Sequence, residues 1–300
     1  MPTKGTPPTA PGTRRGAATD RTADRTADRT ADRTADRTAD RTADRAADRA
    51  ADGVVDGVVD VPAGLRPLSA RSVVLSLLLG SHPAELPVHA LVRIVEPFGI
   101  SGATLRVALT RMVAAGDLRR TGGVYRLSDR LLHRQRRQDA AIDPAVHAWD
   151  GAWELAVVTA TGRGAAERAQ LRADLAALRL AELREGVWTR PANLTRSWPG
   201  HLAPLVQRWT GRPEPSAAEP AGTLWDLEGW AAAGHALLAA YGEVTAPADR
   251  FAVVAAMVRH LLTDPVLPEP LLPLGWPAAA LRATHAAYRH ELTTLARTAT

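Results

Sequence analysis

The chain contains no cysteine. That absence excludes disulfides, thiolate metal sites and cysteine nucleophiles together, and it fits a reducing cytoplasm. Long apolar runs are missing too. The best of them, residues 73–79, is broken by Ser76 and falls far short of a membrane span, and no apolar stretch follows Arg14 and Arg15 to make a secretion signal. The nine histidines are scattered, with no HxH, no HExxH and no paired metal-ligand spacing. Neither a nucleophile elbow nor a P-loop occurs. Nothing in the sequence proposes catalysis, so neither an enzyme nor a cofactor is expected.

A second scarcity lies at the front of the chain. From residue 22 to residue 45 the sequence is six copies of TADR, then AADR, then GVVD twice. No residue larger than alanine recurs there with an apolar period, so no face could be buried, and residues 1–64 are expected to form a disordered low-complexity tail.

Charge is distributed unevenly. Residues 1–60 carry eleven basic and eleven acidic residues, residues 61–139 twelve arginines against five acids, and residues 140–300 fourteen arginines against sixteen acids. The whole net charge of +5 therefore arises in one block of the chain. A basic segment of that size suits a nucleic-acid surface.

Within the basic block, Ser69 can cap a helix carrying Val73, Val74, Leu77 and Leu78. A second helix is expected to start at Pro87 and to stop at Pro97, with Gly99 in the tight turn that follows. Ser101 then caps a third helix with an apolar stripe of Leu105, Ala108, Leu109 and Met112. Its opposite side offers Ala103, Val107, Thr110, Arg111 and Ala114, flanked by Thr104 and Arg106. Such a small, smooth face with a few donors suits a major groove, and it equally suits an ordinary solvated surface. The next stretch, DLRRTGGVYRLSD, reads as Gly116 ending the helix, a strand, a Gly-Gly turn and a returning strand. A phosphate-cradling nucleotide loop needs a strand leading in and a helix leaving, and here the order is reversed. Helix, turn, helix and hairpin make a winged helix-turn-helix. Its expected DNA contacts are Ser101, Thr104, Arg106, Thr110 and Arg111 from the third helix, and Arg119, Arg120 and Tyr125 from the hairpin, with Arg126 also on the wing.

The block SLLLGSHPAELPVHALVRIVEPFGISGATLRVALTRMVAAGDLRRTGGVYRLSD resembles the N-terminal domain of the PaaX-type repressors of phenylacetate catabolism. WDGAWELAVVT with EGVWTRPANL is similar to the family's central domain, and DPVLPEPLLPLGWP to its C-terminal signature. The resemblance implies a homodimeric, DNA-binding, cytoplasmic and nucleoid-associated repressor, released from a double-stranded operator by an acyl-CoA thioester, phenylacetyl-CoA in the family. It also implies a ferredoxin-like central domain serving in dimerisation. The sequence departs from the family pattern at Val258, Arg259 and His260 ahead of the Asp-Pro motif, and at Ala278 after Trp-Pro.

The rest of the chain agrees on its own terms. Trp153, Leu155, Val157 and Thr159 alternate as in a strand, Leu171, Leu175 and Leu178 mark a helix face, and residues 187–189 suit another strand. That strand–helix–strand order fits a ferredoxin-like half. A nuclease of this shape, one alternative function, would want a carboxylate at the end of its first strand, where Thr159, Ala160 and Thr161 stand. A protein-interaction module is the other alternative. Helices are expected from Trp225 to Tyr241, from Pro247 onward, and around Leu281, His285, Tyr288 and Leu292, with five prolines between Pro265 and Pro277. An effector pocket among them could use Arg250, Arg259, Arg282 and Arg289 for phosphates, although each could equally be a surface arginine over a packed core. The expected fold is α+β: a tail over 1–64, a winged helix over 65–139, a ferredoxin-like βαβ domain over 140–200 and a helical effector domain over 201–300.

Overall fold

The structure, a computed structural model, describes residues 69–213 and 219–297. The repeat tail expected over 1–64 lies outside the described residues. The fold is α+β, with two antiparallel sheets among many helices.

Helix α1 (Ala70–Leu79) starts at Ser69, whose Oγ accepts from the Ser72 backbone N–H at 3.1 Å. Its stripe of Val73, Val74, Leu77 and Leu78 is buried as the periodicity predicts. A strand that the sequence reading missed follows: β1 (Glu85–Pro87) pairs with β3 (Val124–Leu127), Pro87 lying across from Val124 far along the chain. Pro87 therefore ends a strand and caps α2 (Val88–Val95) with φ −72° and ψ 151°, rather than occupying its first turn. A 3-10 turn (Glu96–Phe98) and Gly99, at φ 74°, lead into α3 (Gly102–Ala114). Gly116 leaves α3 at φ 75°, and β2 (Leu118–Thr121) and β3 (Val124–Leu127) form a hairpin across Gly122 and Gly123, both at positive φ. Two central residues at positive φ are what a two-residue hairpin with native twist requires, and glycine adopts them without strain. Helix α4 (Asp129–Ile142) then leads away.

The second sheet contains β4 (Trp153–Val158), β5 (Ala181–Arg184), β6 (Val187–Pro191) and β7 (Val206–Gly211) in the order β5-β6-β4-β7, with every pairing antiparallel. Helix α5 (Ala165–Ala177) covers one face, packing Leu171 and Leu175 on Ala156, Trp188 and Val206. The boundary expected at residue 200 cuts this sheet, because β7 returns to pair with β4 from beyond it. The boundary expected at residue 139 falls inside α4.

The C-terminal part is helical: α6 (Glu219–Leu224), α7 (Leu227–Glu243), α8 (Pro247–Leu261) and α9 (Ala278–Arg297), with a 3-10 turn (Glu269–Leu271) in the proline-rich connection. Helix α7 begins two residues later than Trp225, since the Asp226 carboxylate accepts from the Gly229 backbone N–H at 2.9 Å and caps it there. Phe251, Val254 and Tyr288 from α8 and α9 lie in one hydrophobic cluster with Val73, Leu91, Leu105 and Tyr125. The basic block and the C-terminal helices thus share a core. Phe98, in the turn between α2 and α3, meets Phe251 with ring centroids 5.1 Å apart.

Candidate nucleic-acid interface and candidate effector arginines

On α3 the inner stripe of Leu105, Leu109 and Met112 is fully buried, which fixes the outward direction of the rest. Ala103, Thr104, Arg106, Val107, Thr110 and Arg111 are all exposed. Ser101 caps the helix, its Oγ accepting from the Thr104 N–H at 3.1 Å and lying 2.9 Å from Thr104 Oγ1. The Thr110 hydroxyl donates to the Arg106 carbonyl at 3.0 Å. Asp117, a buried carboxylate between α3 and the hairpin, pairs with Arg71 of α1 at 2.9 Å and with Arg130 of α4, tying both helices to the root of the hairpin. Removing that carboxylate would leave two arginines without their common partner at the root of the hairpin.

The hairpin sorts its expected contacts. Arg119 and Arg120 are exposed. Arg119 meets Asp129 at 2.5 Å, with both side chains mostly in solvent. Such a pair contributes about 1 kcal/mol or less, so a phosphate can replace the carboxylate. Arg126 pairs with Glu85 of β1 at 2.9 Å. Tyr125 is a correction: at 7% exposure it belongs to the core, with the Arg120 guanidinium 5.8 Å above its ring. The alternation of β3 explains this, because Tyr125 and Leu127 point in while Val124 and Arg126 point away. Tyr125 supports Arg120 and is not itself at the surface.

The four arginines expected to hold effector phosphates do not converge. Arg250 donates to the Tyr241 hydroxyl and pairs with Glu291 at 3.1 Å. Arg282, earlier on α9 than Glu291, donates to the Ala141 carbonyl at 3.1 Å and to Asp264 at 2.5 Å. Arg259 lies near Arg134 of α4, and desolvation followed by that like charge lowers its pKa. Arg289 is exposed, and its charge adds to burial in lowering the pKa of His285. The open groove of this region, between Trp225, Asp226 and residues 270–273, contains none of the four.

What the sequence reading missed is a buried polar junction. Arg190 on β6 has no exposed surface. Its guanidinium donates to the carbonyls of Pro265 and Val266, to Asn193 Oδ1 at 2.8 Å, and to the carbonyls of Arg179 and Pro191. Asp264 is also buried, accepting from the Val266 N–H at 2.9 Å and from Arg282. Arg179 donates to the Asp264 carbonyl and to the Ala140 carbonyl. The last carbonyls of α4 are therefore held by Arg179 and Arg282, cations where the helix dipole favours them. Burial, and then the neighbouring Arg196, push the Arg190 pKa down to about 9, which leaves it a cation at neutral pH. Glu154, a buried carboxylate in β4, meets Arg196 at 2.7 Å and Arg190 at 3.4 Å, so it is engaged in ion pairs. Among the described residues no three His, Asp or Glu side chains group to hold a metal ion, and no helix is long and apolar enough to cross a membrane.

The class defined by this arrangement is an α+β protein with an exposed, arginine-flanked helix beside an arginine-bearing hairpin. Residues 69–131 match the family described as PaaX-like protein, residues 146–205 the PaaX protein central Cas2-like domain, and residues 225–299 the PaaX-like protein C-terminal domain. The chain belongs to the PaaX-like family, a family of transcriptional regulators of phenylacetate catabolism. Among solved structures, the uncharacterized protein Rv0674 from Mycobacterium tuberculosis is similar at 51% sequence identity and a TM-score of 0.68, over 76% of this chain and 97% of that one. No curated protein sequence matches the chain.

Proposed function

We propose that this chain is a ligand-responsive, winged-helix DNA-binding repressor that acts as a homodimer in the cytoplasm, on the nucleoid. The observation that carries the reading is the outer face of α3, exposed between Arg106 and Arg111 and set beside the hairpin arginines, in a member of the PaaX-like family. Helix α3 enters the major groove, where Arg106 and Arg111 reach bases or phosphates, and Arg119 and Arg120 lie along the backbone. Dimer symmetry sets two such helices about one helical turn or more apart on a roughly palindromic operator.

The βαβ order of β4, α5 and β5, with β6 and β7 completing an antiparallel sheet, supports a ferredoxin-like central domain. Opposite α5 that sheet presents Leu155 and Val157 half-buried and Trp209 exposed, Trp209 lying across from Leu155 in register. A second copy of the chain fits this apolar strip. The effector is an aryl-CoA thioester held by the C-terminal helices. Rearrangement there reaches the reading helix through the contact of Phe251 with Phe98, at the root of α3. Such coupling needs different thioester affinity in the DNA-bound and free arrangements.

Fluorescence anisotropy with DNA from upstream of the chain's own and neighbouring genes tests the reading. Phenylacetyl-CoA is titrated in, with free CoA as control. Salt-sensitive binding released by the thioester and not by CoA supports it; binding that ignores the thioester removes the effector assignment, and no binding removes the reading altogether.

A further inference from the structure

Both threonines of α3 that were expected to contact DNA have their hydroxyls engaged within the helix. Thr104 Oγ1 lies 2.9 Å from Ser101 Oγ, and Thr110 donates its only hydroxyl proton to the Arg106 carbonyl. The outer face also presents the guanidiniums of Arg106 and Arg111. Between them stands Val107, 52% exposed, on a stripe with Ala103 and Ala114 at helical spacing. A valine there adds little to the core and is a weaker helix former than alanine or glutamine. In the major groove the group that an apolar side chain recognises is the C5-methyl of thymine.

We propose that Val107 is a specificity-determining residue that reads a thymine C5-methyl in each operator half-site, flanked by contacts from Arg106 and Arg111. The proposal rests on the DNA-binding reading and adds the identity of a base to it. The contact excludes water from both methyl-bearing surfaces, so it distinguishes thymine from uracil, which differ in that methyl alone.

The test starts from the tightest duplex selected by the full chain out of a random pool. Each thymine is then replaced by uracil in turn, and binding is measured by anisotropy for the parent and for Val107→Ala. Thermal unfolding checks that the variant, altered at an exposed position, keeps its fold. In the parent, uracil at one position per half-site should weaken binding about fourfold, the value of one buried methyl-sized group. Val107→Ala should bind the thymine duplex more weakly and lose nothing further with uracil at that position, at an unchanged salt slope. Salt-sensitive binding that is indifferent to uracil everywhere would overturn the proposal and leave DNA binding standing. A uracil effect of equal size in Val107→Ala would assign the methyl to another residue and also overturn it. Absence of salt-sensitive binding to any duplex would remove both.

Discussion

Arginine does opposite work in two regions of this molecule. On α3 and its hairpin, Arg106, Arg111, Arg119 and Arg120 stand in solvent. At the junction of β6, α4 and α9, Arg179, Arg190 and Arg282 are turned inward, onto backbone carbonyls and onto Asp264. The first set has charge that a polyanion can use. The second set has its donors committed, Arg190 to five oxygen acceptors. The difference teaches that a count of basic residues locates a binding surface only after the buried cations are subtracted. It also separates stability from recognition, since each region should control one and leave the other nearly untouched.

The largest effect expected from breaking the comparison is on the buried side. Arg190→Met leaves Glu154 with Arg196 alone and takes from the Pro265 carbonyl the donor that Arg190 supplies, while Asn193 still donates to Val266; urea unfolding should show a loss of about 3–5 kcal/mol. DNA affinity of the folded fraction should hardly change. On the exposed side, Arg111→Ala should weaken operator binding by about tenfold or more while unfolding moves by no more than about 0.5 kcal/mol. A loss of stability comparable to that of Arg190→Met would place Arg111 with the structural set. A smaller effect is expected for Arg119→Ala, which should weaken binding to all sequences alike and lower the slope of log affinity against log salt by about one. An unchanged slope would take the hairpin off the DNA.

The smallest effect concerns protons. Burial lowers the pKa of His260, against a hydrogen bond to the Trp230 carbonyl and the charge of Asp264. Burial and then Arg289 lower that of His285. The unfolded chain therefore binds more protons just below its own histidine pKa of about 6.5. The contribution of these groups is whole above that value and is lost as the pH falls toward the depressed folded values. Thermal unfolding scanned downward from neutral pH should show a falling midpoint, and His285→Gln should flatten the fall. A midpoint independent of pH in that window would mean that both imidazoles are better solvated than their packing indicates.

The expected interface and the missed junction differ in how locally they are encoded. Ser101 before an apolar stripe and Gly116 after it mark α3 within one short stretch, and the Gly-Gly pair between two alternating tetrads marks the hairpin; both stand where expected. Tyr125 stands in the core and not at the expected DNA contact, because the alternation of VYRL puts it beside Leu127 on the buried side. Strand β1 could not be read, because three residues ending in proline carry no period and its partner lies far along the chain. The same holds for the junction. A hint existed in β6, where Arg190 shares a face with the buried Trp188, but its acceptors come from residues 265 and 266, a distance no local pattern spans. The contact of Phe98 with Phe251 is of this kind too: each aromatic was visible as core, and their meeting across the molecule was not. The four candidate effector arginines all lie on the C-terminal helices. Two of them are bound into the structure: Arg282 by Asp264, in the connection after α8, and Arg250 by Glu291 on α9, separations that no local pattern spans.

The central claim is that the exposed set reads DNA and the buried set does not. Its most direct measurement is anisotropy titration of the selected operator duplex with the parent, Arg111→Ala and Arg190→Met, each at a temperature where unfolding curves show it folded. The account predicts that Arg111→Ala loses about tenfold or more in affinity while Arg190→Met binds like the parent. Parent-like affinity for Arg111→Ala, with the loss appearing in Arg190→Met, would contradict it and move the nucleic-acid surface away from α3.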